Sequence, residues 1–139
     1  MLNTSELKTV LENRIHSVFP DLNISKELHF CVGSYNSPEG TYLYMQDNKY
    51  QYLITEKGSI TKHVEFTSED DLLYASLRAI ICQISLDYTR ENDQPGKDFR
   101  RVYFAKQIEL YSKFGKEFGE RKTAEIEEIL REHPYHDKS

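Results

Sequence analysis

The sequence has no tryptophan and is poor in cysteine and methionine, with two of each among 139 residues. Two cysteines without a CxxC spacing argue against a disulfide scaffold and against a cysteine-based zinc site. Cys31 and Cys82 fall in apolar stretches, so we expect reduced thiols in the core. Repeats and low-complexity tracts are absent as well. The composition is therefore that of an ordinary globular domain, and at this length we expect one domain over residues 1–139.

Long hydrophobic runs are also missing. No stretch approaches the roughly 18 to 20 apolar residues that cross a bilayer, which argues against a membrane protein. The first residues, MLNTSELKTVLENRI, carry charges where a signal peptide has its apolar region. We therefore expect a cytoplasmic protein.

Basic charge is scarce in the first two thirds of the chain. The net charge is −5, and residues 1–96 hold 8 basic and 14 acidic side chains, whereas residues 97–139 hold 10 and 9. This balance argues against direct nucleic-acid binding, which needs a basic stripe. It suits a basic partner, although mild acidity also serves solubility.

Familiar catalytic motifs are lacking. The sequence has no P-loop, no GxGxxG and no nucleophile elbow. HPYHD at residues 133–137 has two imidazoles and a carboxylate at a spacing known from metal ligands. Because Pro134 breaks the helical spacing, we interpret this segment as a tail that packs back onto the fold. The acidic residues 69–71 suit the first turn of a helix better than a metal site. We expect neither a metal nor a cofactor.

Hydrophobic periodicity predicts an α+β fold. An N-terminal helix over residues 4–18, capped by Thr4 or Ser5, precedes a four-stranded antiparallel meander. Two or three C-terminal helices then pack on one sheet face. Asp47-Asn48 and Lys57-Gly58 suit two-residue hairpin turns. The predicted strands are 28–32, 41–46, 49–56 and 59–66, and the later helices are 67–88, about 98–114 and 120–132.

Strand alternation sorts side chains onto two faces of this sheet. We expect the core face to carry Leu28, Phe30, Val32, Tyr42, Tyr44, Tyr50, Tyr52, Ile54, Ile60, Val64 and Phe66. The other face is mixed, and is either partly covered by a helix or open as a binding surface. It is expected to carry His29, Cys31, Leu43, Met45, Gln51, Leu53, Thr55, Thr61, His63 and Glu65.

The stretch KDFRRVYF, residues 97–104, places two adjacent arginines at a helix start. At about 100° per residue, Arg100 and Gln107 fall in the apolar arc and Arg101 falls in the polar one. A buried guanidinium needs a carboxylate partner. We expect Glu56, at the end of a strand, to pair with Arg100. Asp98 is the nearer alternative, and its simplest role is to cap the helix.

Scattered positions in the last two thirds of the chain form a recognisable pattern. It consists of Gly40-Thr41-Tyr42, Glu56-Lys57-Gly58, the stretch from Asp98 to Gln107, and His133 to Asp137. Over about residues 40–137 this pattern resembles the immunity protein 63 family of bacterial polymorphic-toxin systems. Lys57 departs from it, because the family would have arginine there.

The resemblance implies a small protein that binds and neutralises a cognate toxin domain and performs no catalysis. Basic nucleases are frequent among such toxins. It also favours a structural network of Glu56, Asp98, Arg100 and Gln107. The expected partner-binding residues are exposed acids, tyrosines, loop residues and the mixed face, namely Tyr35, Glu39, Asp47, Asn48, His63, Glu65 and Arg101. We expect a monomer or a weak dimer.

Two other functions remain open at this point. Glu56, Asp98 and Arg100 could form the active site of a small enzyme, or the chain could be a non-catalytic regulatory adaptor. A deep cleft that exposes these three side chains would support the enzyme. A closed network beneath helices would support the binding protein.

Overall fold

The computed structural model describes residues 1–138 and has the predicted α+β architecture. Four strands lie in the order β1-β2-β3-β4, and a 3₁₀ turn, Ile24–Lys26, precedes β1. The strands are β1 (Leu28–His29), β2 (Gly40–Gln46), β3 (Lys49–Glu56) and β4 (Ser59–Phe66), and the helices are α1 (Thr4–Val18), α2 (Glu69–Glu91), α3 (Arg100–Ser112) and α4 (Lys116–Glu132). No helix in the described part of the chain is long and apolar enough to cross a membrane.

The sheet is mixed, and not purely antiparallel as predicted. β1 has two residues where the sequence predicted five, and it pairs with β2 in parallel. A parallel neighbour needs a longer connection than a hairpin, and residues 30–39 supply it. Because the chain leaves the sheet after His29, Cys31 is exposed and is no core thiol, while Cys82 is half-buried.

Both predicted hairpin turns are present. Asp47 and Asn48 have φ of 55° and 58°, and Lys57 and Gly58 have 50° and 76°. Two consecutive positive φ values define the type I′ turn, whose twist matches that of the strands it joins. The first turn sets the register of β2 with β3, and the second starts the register of β3 with β4, which an irregularity at Ile54 and Thr55 then shifts.

This register divides the four hairpin tyrosines between the two faces of the sheet, so the prediction that they share one face is wrong. Tyr42 lies opposite Leu53, and Met45 lies opposite Tyr50. Residues paired across a two-residue turn have one odd and one even number, and paired residues share a face. One face, which we call the helix-side face, therefore carries Leu43, Met45, Tyr50, Tyr52, Val64 and Phe66. The opposite face, which we call the loop-side face, carries Tyr42, Tyr44, Gln51, Leu53, His63 and Glu65.

Helix α1 is capped by Asn3 and not by the predicted Thr4 or Ser5. The Asn3 side chain accepts the Glu6 N–H at 2.8 Å, and the Glu6 carboxylate accepts the Asn3 N–H at 3.0 Å, which completes a capping box. The Thr4 hydroxyl instead accepts the Met45 N–H at 3.0 Å and so covers part of the free edge of β2.

Both faces of the sheet bury apolar side chains: Tyr42, Tyr44 and Leu53 form a cluster on the loop-side face, and Leu43, Tyr50 and Tyr52 are buried on the helix-side face. Leu7, Leu11 and Ile15 of α1 are fully buried, whereas Val10 is 36% exposed. The Tyr50 hydroxyl accepts the Leu2 N–H at 3.0 Å. Burial is the main cause that raises the pKa of Tyr50, so this phenol stays neutral.

The loop of residues 30–39 covers part of the loop-side face. The Pro38 carbonyl accepts hydrogen bonds from the Tyr42 hydroxyl at 2.6 Å and from the Thr55 hydroxyl at 2.8 Å. A side chain at Gly33 would collide with Leu53 and Tyr42, so the backbone itself packs on the sheet there.

Helix α2 begins after Ser68, whose hydroxyl accepts the Asp71 N–H at 3.3 Å. Its first half buries an apolar stripe that includes Leu73 and Leu77, whereas Tyr88 near its end is 39% exposed. Ser85 and Thr89 are buried instead, and the Thr89 hydroxyl donates to the Ser85 carbonyl at 2.7 Å. Near its end, α2 therefore buries hydroxyl-bearing residues and not the aromatic side chain of Tyr88.

The chain divides into two compact units, Met1–Arg78 and the residues from Ala79 onward, and α2 contributes to both. In the second unit α4 begins at Lys116, four residues earlier than predicted, so that Gly119 lies within the helix. A Cβ at Gly119 would collide with the Ser112 side chain, which shows how closely α3 and α4 approach. The single domain over residues 1–139 stays a prediction.

Candidate functional site

The arginine pair at the start of α3 binds the C-terminal tail. Five residues form this cluster, which we call the tail clasp: Asp98, Arg100, Arg101, Tyr135 and Asp137. All of them belong to the second unit. Asp98 lies just before Phe99, the N-cap residue of α3, and its carboxylate accepts the Arg100 N–H at 3.0 Å, so it binds the first N–H of the helix from outside the cap position.

Arg100 is paired with Asp98, and the predicted pairing with Glu56 is wrong. Its Nη2 donates to Asp98 Oδ2 at 2.8 Å, and its Nη1 and Nη2 donate to the His133 and Pro134 carbonyls, each at 2.9 Å. These carbonyls follow the end of α4, where the helix supplies no donors. Glu56 is exposed at the end of β3. Arg100 therefore pairs with Asp98, in a position from which its guanidinium also reaches the carbonyl groups after the end of α4.

Arg101 lies in the polar arc, as predicted, but it is not a free surface arginine. Its side chain is 42% exposed, and its Nε and Nη2 donate to the two oxygens of Asp137 at 3.0 and 2.9 Å. Asp137 also accepts the Asp98 N–H at 2.7 Å. This two-point pairing makes Arg101 a tail contact, which sequence reasoning did not foresee.

Tyr135 fills the space beside the two guanidinium groups. Its ring centroid lies 4.2 Å from Cζ of Arg101 and 5.6 Å from Cζ of Arg100, and it lies 6.4 Å from the centroid of Phe104. Cations over an aromatic face are attracted by the ring's negative centre. The interpretation that residues 133–137 form a tail that packs back is confirmed.

Both carboxylates of the clasp are strongly held in the charged form. The hydrogen bond from the Arg100 side chain, together with the His136 and Arg100 N–H groups, holds the pKa of Asp98 well below its ordinary value. The Arg101 side chain and then the Asp98 N–H lower the pKa of Asp137 to about 2. Both carboxylates of the clasp are therefore ionised at neutral pH.

These pKa values bear on the enzyme alternative. A carboxyl group that transfers protons near neutral pH needs a raised pKa, and both clasp carboxylates have lowered ones. Asp98 and Arg100 are occupied by each other and by the backbone of the tail. Gln107, which was expected to face inward, is 3% exposed. This arrangement fastens a helix to the tail and resembles the closed network rather than an exposed catalytic cleft.

The other residues expected to bind a partner lie in the first unit and are exposed. Tyr35 is 68% exposed, and Glu39, in the same loop, accepts the Lys57 N–H at 3.0 Å. This bond ties the loop to the turn that begins β4. The remaining members are exposed at the other hairpin turn or along β4, namely Asp47, Asn48, His63 and Glu65.

A polar group on the loop-side face joins β3 to β4. Gln51 is 4% exposed, and its Nε2 donates to the Glu65 carboxylate at 3.0 Å. Its Oε1 lies 2.6 Å from Nε2 of His63. The alternation had placed all three side chains on one face, which the register confirms. Sequence reasoning nevertheless missed Gln51 as the residue that orients His63 and Glu65.

Among residues 1–138 no group of three or more histidine, cysteine, aspartate or glutamate side chains is arranged to hold a metal ion. The fold and the clasp thus define a small α+β protein whose main charged cluster is closed by its own tail. Residues 46–128 match the family described as Immunity protein 63, and the chain belongs to this family. No curated protein and no solved structure matches the chain significantly.

The matched range runs from the end of β2 to near the end of α4. It contains Asp98, Arg100 and Arg101 of the tail clasp, whereas Tyr135 and Asp137 lie beyond it. It also contains Gln51, His63 and Glu65.

Proposed function

We propose that this protein carries out its immunity function by binding a cognate bacterial toxin domain and neutralising it without catalysis. The observation that carries the proposal is membership in the Immunity protein 63 family over residues 46–128. The state of the tail clasp adds support, because its ionised and paired carboxylates suit a structural role.

The proposed contact surface is the exposed side of the first unit. Residues 1–78 hold 11 acidic and 7 basic side chains, a net charge of −4. The surface comprises Tyr35, Glu39, Asp47, Asn48, His63 and Glu65. Arg101 is left out because its guanidinium is engaged by Asp137.

The acidic balance favours a basic toxin, for which a nuclease is the leading candidate. A nuclease binds a polyanion and so tends to carry a basic surface. An acidic inhibitor then gains a faster encounter and a better charge match with that surface. Exposed tyrosine at the contact is also common in protein interfaces.

The test uses the toxin-domain protein encoded directly beside this chain in its host. The two proteins are mixed at increasing ratios, and toxin activity and complex formation are measured together. A binding inhibitor abolishes activity at a ratio near one to one, with a complex of matching mass. Protection at far below one equivalent would indicate an enzyme that acts on the toxin, and failure to form any complex at micromolar concentrations would contradict the proposal.

A further inference from the structure

Strand β4 has a free outer edge. It is the last strand in the sheet order, with β3 as its only neighbour in the described residues. Lys62, His63 and Glu65 are exposed, and Val64 and Phe66 are partly exposed. An edge of this kind offers unpaired backbone N–H and C=O groups to an incoming strand.

The hairpin turns determine which backbone groups point outward. The residues that flank a two-residue hairpin turn form a hydrogen-bonded pair, and pairs then alternate along the ladder. Gln46 and Lys49 are such a pair, so Met45 directs its N–H away from β3. The hydrogen bond from the Met45 N–H to Thr4 agrees with this assignment.

The same alternation applies between β3 and β4. The alternation begins at Glu56 and Ser59, which form a hydrogen-bonded pair. The register then shifts by one residue at the irregularity between Ile54 and Thr55. Beyond that point Val64 is bonded to β3. His63 and Glu65 therefore direct their N–H and C=O groups to the free edge.

One half of this edge is protected against pairing. The irregularity leaves Thr61 without a paired residue in the β3 register, although its hydroxyl donates to the Ile54 carbonyl at 3.3 Å, and Lys62 follows it. Bulges and lysines are the usual means of blocking a sheet edge. The other half, from His63 to Phe66, has a regular register, so pairing is possible there.

We propose that an extended segment of the toxin adds to the sheet as a fifth strand along His63–Phe66. This proposal rests on the proposed immunity function. The outward backbone groups of His63 and Glu65 would bond the segment, as in other cases of strand addition. Gln51 holds the Glu65 carboxylate on the loop-side face. We therefore expect the toxin segment to carry a basic side chain at the position opposite Glu65.

A second copy of this chain is the competing occupant. Two copies paired antiparallel about Val64 would place His63 opposite Glu65. However, each copy carries a net charge of −5, so their approach is opposed by repulsion. A basic toxin meets the opposite field, and charge complementarity therefore favours the toxin.

The experiment compares alanine and proline at the two outward positions. His63→Ala and His63→Pro both remove the imidazole, but only proline removes the outward N–H; Glu65→Ala and Glu65→Pro form the second matched pair. Proline is tolerated where the N–H of an edge strand faces solvent. We expect each proline variant to bind the toxin about tenfold more weakly than its alanine partner. Circular dichroism and thermal unfolding verify that each variant is folded.

Amide hydrogen exchange on the unmutated protein gives an independent readout. We expect the His63 and Glu65 amides to exchange fast in the free protein and to become protected in the toxin complex. Equal affinities of the alanine and proline variants, or unchanged exchange, would overturn strand addition while the toxin complex still supports the immunity function. Protection in the free protein together with a dimer mass would instead assign the edge to a second copy, and absence of the complex itself would overturn both proposals.

Discussion

At the scale of single residues, the two arginines of the tail clasp show that a side chain's direction and its ion-pair partner are separate questions. Helix geometry correctly distinguished Arg100 from Arg101, because phase along a helix depends only on local spacing. The partners were a separate matter. Asp137 lies 36 residues beyond Arg101, and its distance from Arg101 is decided by how α4 and the tail are placed.

Asp137→Asn is expected to destabilise the second unit at neutral pH and to have no effect in strong acid. The folded pKa of Asp137 is lowered to about 2 from an ordinary value of 3.8, so the folded state binds fewer protons. The contribution to the free energy of unfolding is thus fully present above about pH 5 and is lost as the pH falls toward 2. Chemical denaturation at several pH values measures the difference.

Asp93→Asn is the matched control, because Asp93 is exposed in the same unit and loses the same charge. Its effect is expected to be small throughout. If Asp137→Asn had the same effect at pH 3 and pH 7, ionic pairing with Arg101 would not be the source of the stabilisation.

At the scale of elements, the N-terminal cap of α1 and the turn between β3 and β4 each contribute separately to the free energy of unfolding. The Asn3 side chain satisfies a backbone N–H that the helix leaves unpaired. Lys57 occupies the left-handed region, with φ of 50°, where most L-residues are strained. Each feature leads to a prediction.

Asn3→Ala is expected to lower the free energy of unfolding by about 1 kcal/mol, because the capping bond is lost. Ser5→Ala is the control, since Ser5 lies inside the helix and not at the cap. Urea denaturation of both variants checks the prediction. A larger loss for Ser5→Ala would place the cap where the sequence predicted it.

Lys57→Asn is expected to raise the free energy of unfolding by up to about 1 kcal/mol. Asparagine tolerates the left-handed conformation better than lysine does, whereas Lys49→Asn places it in a strand and should give no gain. The midpoints of chemical denaturation of the two variants distinguish these outcomes. Equal or lower stability for Lys57→Asn would argue that the turn is not strained.

At the scale of the whole molecule, charge is unevenly divided. The first unit has a net charge of −4, and the residues from Ala79 onward contribute −1. If the toxin is basic and binds the first unit, association depends on this field and weakens with salt.

The rate of association with the toxin is therefore expected to fall as ionic strength rises. Glu39→Lys with Asp47→Lys should slow association further. Glu117→Lys with Glu127→Lys makes the same change in net charge on exposed residues of α4 and should slow it less. Stopped-flow or surface-based kinetics over a salt series measures the rates, and equal slowing by the two double variants would contradict binding through the first unit.

The sequence by itself determined four features: the α+β class, the two hairpin turns, the phase of α3 and the family pattern. The hairpin turns, the phase of α3 and the periods that indicate the fold class depend on residues close together in the chain, where spacing and turn chemistry act directly. The family pattern is confirmed by the match over residues 46–128.

Only the tertiary structure decided that β1 runs parallel to β2 and that Arg100 and Arg101 hold the tail. The tyrosines were misplaced because alternation was applied to each strand separately, although pairing across the predicted two-residue turn joins odd to even positions. The contacts of Arg100 and Arg101 with the tail join chain segments more than thirty residues apart, and the approach of these segments is determined by packing.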